Sequence, residues 1–240
     1  MTVHVDFLTL RPEIYQFSKI DYAMKFLPDW YKSLPVKNYN PEYPGGVSMT
    51  MKGCSGLRGL FKKSLVIPLW CDVNISLGKA GTDVASWLFA DECSNFEINN
   101  ETDYGSFVNA TNMQHMKFLS PWYGFSKSDV EFCFVQPTWN TTMYSDILHV
   151  LPGVVGFKYQ FGTHINVLLS RKPEDRILEL KHGMPLVHLM PLTTEKVKIK
   201  THLVDEKELN KKVMRHGSFS HLSFVGWANK IKQIKKTTTA

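Results

Sequence analysis

Nine histidines are the residues in this 240-residue chain with the widest chemical reach: His4, His115, His149, His164, His182, His188, His202, His216 and His221. Imidazole binds transition metals and exchanges protons near neutral pH. A metal centre needs three or four converging ligands, each held by further hydrogen bonds. No H-x-H or H-E-x-x-H spacing occurs. His182 and His188 flank the turn at Gly183, and His164 lies on a strand that could pair nearby. Dispersed strand and surface histidines are the simpler reading, so no metal or other cofactor is expected.

Carboxylates beside apolar runs are Asp72, Glu131 and Asp146. Two of them, if brought together, would make an acid/base pair; single acids at strand edges are usually solvated or paired with lysine. The G-x-S-x-G signature of a serine nucleophile is absent. Gly53, Gly56 and Gly59 do not match the G-x-x-x-x-G-K-[ST] phosphate loop. Together with Gly45-Gly46 they read either as anion-binding nests or as turns and close packing. Cys54, Cys71, Cys93 and Cys133 include no C-x-x-C pair, which excludes a zinc ribbon. Cys71 and Cys133 lie in apolar runs and are expected as buried, reduced core residues.

Aromatic residues are abundant: fifteen Phe, nine Tyr and six Trp, a set that suits sheet faces and interfaces. Trp30, Tyr31, Trp70, Trp87, Trp122, Tyr123 and Trp139 divide among core packing, subunit contact and base stacking. Trp122, Tyr123 and Trp139 adjoin turn signals and are candidate interface residues. The formal net charge is +6, with lysines gathered late: Lys207, Lys211 and Lys212, then Lys230, Lys232, Lys235 and Lys236. This reads as a solvated face and tail, or as a weak contact with nucleic acid or an acidic surface. Trp227, Lys235 and Lys236 complete the candidate interface set.

The N-terminus has neither the basic start nor the apolar run of a signal peptide, and no stretch approaches the roughly 20 apolar residues of a membrane span. Reduced thiols and no membrane contact are therefore expected, and the sequons at Asn109 and Asn140 read as chance.

The elements that must position these residues are mostly strands. An opening strand over 3–10 ends at Arg11-Pro12. Two short helical turns fit 21–33, with Pro28 starting the second. Pro35, Pro41, Pro44, Gly45 and Gly46 mark 34–47 as a loop or extended arm able to lie on a neighbouring subunit. A short helical turn over 53–63 precedes one long strand, 65–75, bent at Pro68. Residues 84–89 return as a hairpin, and 91–112 read as a surface connection. The run 130–135 has apolar residues on both parities, predicting burial on both faces. Residues 136–145 form a loop around Trp139, and 146–200 are rich in strands. Asp205 and Glu208 then open a helix carrying Leu209, Val213 and Met214, ended by Gly217. Phe224, Trp227, Ile231 and Ile234 give a second amphipathic helix with a basic opposite face.

The segment Gly153-Val154-Val155-Gly156-Phe157-Lys158-Tyr159, followed by Ile165–Leu169 and by Gly183-Met184-Pro185-Leu186-Val187-His188, resembles the later half of a dUTP pyrophosphatase-type β-clip. The resemblance covers about 40 residues of the chain. It implies a β-clip-like fold with a nucleotide pocket. Gly156 and Lys158 stand where that family has its acidic residues, Tyr159 keeps the tyrosine, and His188 replaces the usual glutamine. Metal-assisted phosphate chemistry needs those carboxylates, so dUTP hydrolysis is not expected.

A longer series runs in order along the chain: Leu27-Pro28-Asp29-Trp30-Tyr31-Lys32, Met51-Lys52-Gly53-Cys54, Val66-Ile67-Pro68-Leu69-Trp70-Cys71-Asp72-Val73, Phe118-x-Ser120-Pro121-Trp122, and Gly183 to Pro191. This series resembles a family of uncharacterised tailed-bacteriophage proteins and implies a viral context.

Taken together, the expected fold is mainly β: a single β-sandwich or β-clip-like domain with short N-terminal helical turns and one or two C-terminal helices. Residues 1–204 form the β-rich domain and 205–240 the helical segment with its basic tail. The expected function is a non-enzymatic virion structural or assembly component, with other virion proteins or copies of itself as partners. The alternative is a nucleotide-binding or nucleotide-modifying β-clip protein in the host cytoplasm.

Overall fold

The computed structural model describes residues 2–80, 85–89, 95–97, 112–140 and 146–214. The first stretch holds β1 (Thr2–Thr9), α1 (Pro12–Phe17), β2 (Asp21–Tyr22), a 3-10 turn (Ala23–Phe26) and α2 (Asp29–Ser33). It continues with β3 (Lys37–Tyr39), β4 (Val47–Met49), a 3-10 turn (Met51–Gly53), α3 (Ser55–Lys63), β5 (Leu65–Pro68) and β6 (Val73–Leu77). Next come β7 (Ala85–Phe89), β8 (Asn95–Glu97), β9 (Met113–Leu119), β10 (Tyr123–Ser126) and β11 (Glu131–Val135). The last strands are β12 (Leu148–Val150), β13 (Val154–Gly156), β14 (Ile165–Ser170), β15 (Arg176–Leu180), β16 (Pro185–Pro191) and β17 (Lys196–Leu203). A helix, α4, covers 206–214.

The fold is mainly β, as composition and patterning predicted. The strands form sheets ordered β10-β1-β17, β13-β11-β16-β5-β2, β12-β14-β9-β8, β15-β6-β7 and β3-β4. All but the last contribute to one apolar core. Phe7 of β1, Ile67 of β5, Ile75 of β6, Phe118 of β9, Phe132 of β11 and Leu189 of β16 are fully buried in it. The first and last strands are neighbours: β1 lies parallel to β17 from Thr2↔Lys196 to Thr9↔Leu203.

Local physics explains the boundaries. Pro12 opens α1, where its missing N–H costs nothing. Pro28 is the residue before α2 rather than within its first turn. At α4, Asp205 Oδ1 accepts from the Glu208 backbone N–H at 2.7 Å, the N-cap bond that the sequence predicted. Leu209 and Val213 pack on Leu8 and Phe125, whereas Met214 faces water. Gly183 sits at φ +80°, a left-handed position that glycine adopts without a Cβ clash. Its N–H donates to the Leu69 carbonyl at 2.7 Å, and the Leu69 N–H donates to Met184 at 2.8 Å.

Five expectations are corrected. The single strand predicted over 65–75 is two strands in different sheets, β5 and β6. Pro68 faces Pro185, neither ring has an N–H to continue the ladder, and the register shifts directly after Pro185. The run 130–135 is buried on one face only: Phe132 and Phe134 point inward, while Glu131 is exposed and Cys133 part-exposed. Cys133 is therefore not a core residue, whereas Cys71 is. In the segment 91–112, Asn95–Glu97 is no surface connection but a strand paired with β9. Finally, the extended arm at 34–47 is a hairpin, β3 with β4.

Candidate functional site

The segment with β-clip resemblance walls a cavity of about 470 Å³. Phe134 of β11, Val154 of β13, Tyr159, Gln160, His164 and Asn166 of β14 line it. This lining is aromatic, aliphatic and amide, with no carboxylate. Lys158 points elsewhere. Its ammonium lies 3.3 Å from Asp129 and 5.0 Å from the Tyr159 ring centre. Hydrogen bonding to Tyr159 and Asp129 raises its pKa and so favours the cation. A cation beside Tyr159 disfavours a second cation at that point. Among the described residues no group of three His, Cys, Asp or Glu side chains could hold a metal.

Three serine–histidine pairs occur among the described residues that spacing did not reveal, the third being His149 Nε2 with Ser170 Oγ at 2.9 Å. In the first, Ser64 Oγ lies 2.8 Å from His188 Nδ1, and His188 Nε2 lies 3.2 Å from Asn140 Oδ1. Asn140 also donates its amide to the Phe26 carbonyl at 2.6 Å. The order Ser–His–Asn has the connectivity of a relay, but Ser64 is fully buried at the end of α3 and no substrate can reach it. Burial lowers the His188 pKa to about 4, so the ring is neutral near pH 7. The chain ties α3, β16 and the 136–140 loop together.

In the second pair, Ser18 Oγ lies 2.8 Å from His182 Nε2, on the wall of a cavity of about 320 Å³ shared with Glu13, Cys71 and Asp72. Asp72 Oδ1 accepts from the His182 backbone N–H at 2.7 Å, not from its ring. The imidazole thus lacks the carboxylate that orients a catalytic base, and Ser18 is itself buried. The remaining acids are separate: Asp146 lies 3.6 Å from both Lys172 and Arg176. The described histidines are equally dispersed, with His149 on Ser170 and His202 on Asp6.

The candidate interface residues divide. Trp122 is a correction: it is 1% exposed, and its indole N–H donates to the Ser18 carbonyl at 3.0 Å. The large ring fills the core because its single polar atom finds a partner there. Tyr123 is half-buried, with its ring centre 6.4 Å from Phe161. Trp139 is 39% exposed; it accepts a 2.9 Å bond from the Trp30 indole at its carbonyl, and the two rings lie 6.0 Å apart. Trp227, Lys235 and Lys236 lie outside the described residues.

No family model matches this chain, and no curated protein matches it.

Among the described residues, the β3–β4 hairpin carries a cluster of exposed apolar side chains. Its register places Lys37 opposite Met49 and Tyr39 opposite Val47, so these four residues share one face. Tyr39 is 82% exposed, Met49 59% and Val47 45%. The other face presents Asn38 and Ser48. At its base, Thr50 donates to the Pro35 carbonyl and Lys52 to the Lys32 carbonyl, fixing the hairpin beside α2 and Trp30. The prolines and glycines located this arm in the sequence; its amphipathic face was missed because the run between Tyr39 and Val47 breaks the period-two pattern.

Proposed function

We propose that this protein is a non-enzymatic structural or assembly component that works through protein–protein contacts, in the virion setting that its phage resemblance implies. The observation that carries the reading is the β3–β4 hairpin with Tyr39, Val47 and Met49 exposed on one face. A two-stranded hairpin is marginal by itself in water, and clustered exposed apolar residues mark contact surfaces. Trp30 and Trp139 extend exposed aromatic area beside the hairpin's base. The Ser–His pairs support the non-enzymatic half: Ser64 is sealed, and the His182 and His149 rings have no described carboxylate hydrogen-bonded to orient them. The test is a mass-spectrometric inventory of purified particles together with light scattering of the isolated protein. A fixed copy number, and assembly lost on Tyr39→Ser/Met49→Ser, are expected. Absence from particles and a monomer indifferent to those changes would overturn the reading.

The nucleotide-binding alternative draws on the 470 Å³ cavity, whose Tyr159, Gln160 and Asn166 offer a ring and amides to a neutral planar group. Saturable binding of nucleosides, abolished by Tyr159→Ala, would favour it.

A further inference from the structure

A separate cavity of about 300 Å³ opens where three elements meet: Tyr22 of β2, the last residues of α3, and the turn from β16 into β17. Lys62, Lys63 and Lys196 line it, with Thr193, Thr194 and Glu195. Tyr22 Oη donates to the Val197 carbonyl at 3.1 Å, bracing the edges of two sheets across the cavity. The Glu195 N–H donates to Thr193 Oγ1 at 3.1 Å, which leaves that hydroxyl's proton for a ligand.

The three lysines are exposed and make no ion pair with any described residue. Each has a local use. Lys62 and Lys63 complement the C-terminal end of α3, and Lys196 on an edge strand discourages edge-to-edge pairing. Neither use requires the three to gather on one cavity. Like charges so placed repel, and a single Glu195 leaves the lining with two net positive charges (three lysines less one carboxylate). Donors without matching acceptors suit a tetrahedral oxyanion.

The basic character continues beyond the cavity. Lys196, Lys198 and Lys200 alternate along β17, all exposed on one face, at a spacing of roughly 6.5 Å. No aromatic side chain interleaves them on β17, so base stacking has no platform there. We propose that this cavity binds a phosphoryl group, presented by a free phosphate compound or by a nucleic-acid backbone that runs on along Lys198 and Lys200.

The experiment uses the full chain and two probes: inorganic triphosphate by calorimetry, and a labelled single-stranded oligonucleotide by anisotropy at 50 and 200 mM salt. Lys62→Ala/Lys196→Ala should weaken binding of whichever probe binds by at least about tenfold, with the melting temperature unchanged. If Lys198→Ala/Lys200→Ala weakens only the oligonucleotide, the source is a backbone; if it weakens neither, the source is a compact phosphate. The proposal fails if neither probe binds, as for a surface that takes an acidic protein. It also fails if the cavity variant binds as the parent does, or if only Lys235→Ala/Lys236→Ala abolishes binding.

Discussion

Ser64 Oγ and His188 Nδ1 lie 2.8 Å apart with both side chains sealed from water. Ser64 Oγ also reaches the Leu60 carbonyl at 2.7 Å, so its single proton is shared between that carbonyl and His188 Nδ1, while a neutral His188 protonated at Nε2 donates to Asn140 Oδ1. A second proton would require placing a charge in the interior.

That burial sets a pH dependence. The folded pKa is about 4, below the ordinary histidine value of 6.5. Above about pH 6.5 the ring is neutral folded or unfolded, and no stability is lost. Between 6.5 and 4 only the unfolded chain takes up the proton, so stability falls with pH, by about 3 kcal/mol when pH 4 is reached. Urea denaturation at pH 7.5 and pH 4.5 should show this loss, and His188→Gln should remove most of it. An equal acid loss in the variant would show that other groups carry it.

Gly124 lies against the Phe157 ring, and a Cβ there would overlap the ring carbons. Phe157 is fully buried and packs edge-on to Phe7, with ring centres 5.4 Å apart, so it has no room to yield. Gly124→Ala should lower stability by about 1–3 kcal/mol. Gly59→Ala, in α3 with open space at the Cβ position, should raise stability by about 0.5–1 kcal/mol. Thermal melts distinguish the two signs.

Cys71 is 5% exposed, whereas Cys54 and Cys133 are each part-exposed. Thiol labelling of the native protein followed by peptide mapping should modify Cys54 and Cys133 well before Cys71. Cys71 labelling at the rate of Cys133 would place Cys71 outside the core.

Incubation with dUTP and Mg²⁺ should yield no hydrolysis, since Gly156 offers no carboxylate and Lys158 contributes a cation. Turnover above about 1 s⁻¹ would require acids from elsewhere in the chain or from a second copy.

Short-range pattern was sufficient for several features of this protein. It gave the mainly β character, the turn at Gly183, the cap at Asp205 and the arm marked by prolines and glycines, because each depends on backbone preferences within a few residues. Pairing was decided only by the tertiary structure. Nothing near Thr2 specifies Lys196 as its neighbour, and nothing near Pro68 states that the next strand joins another sheet. Trp122 reads as a turn aromatic until the Ser18 carbonyl is placed to receive its N–H. Ser64, His188 and Asn140, like Lys62, Lys63 and Lys196, come together across long stretches of chain. Such contacts follow from which apolar faces bury one another across the whole chain, and the period of a single strand records only that it has a face to bury.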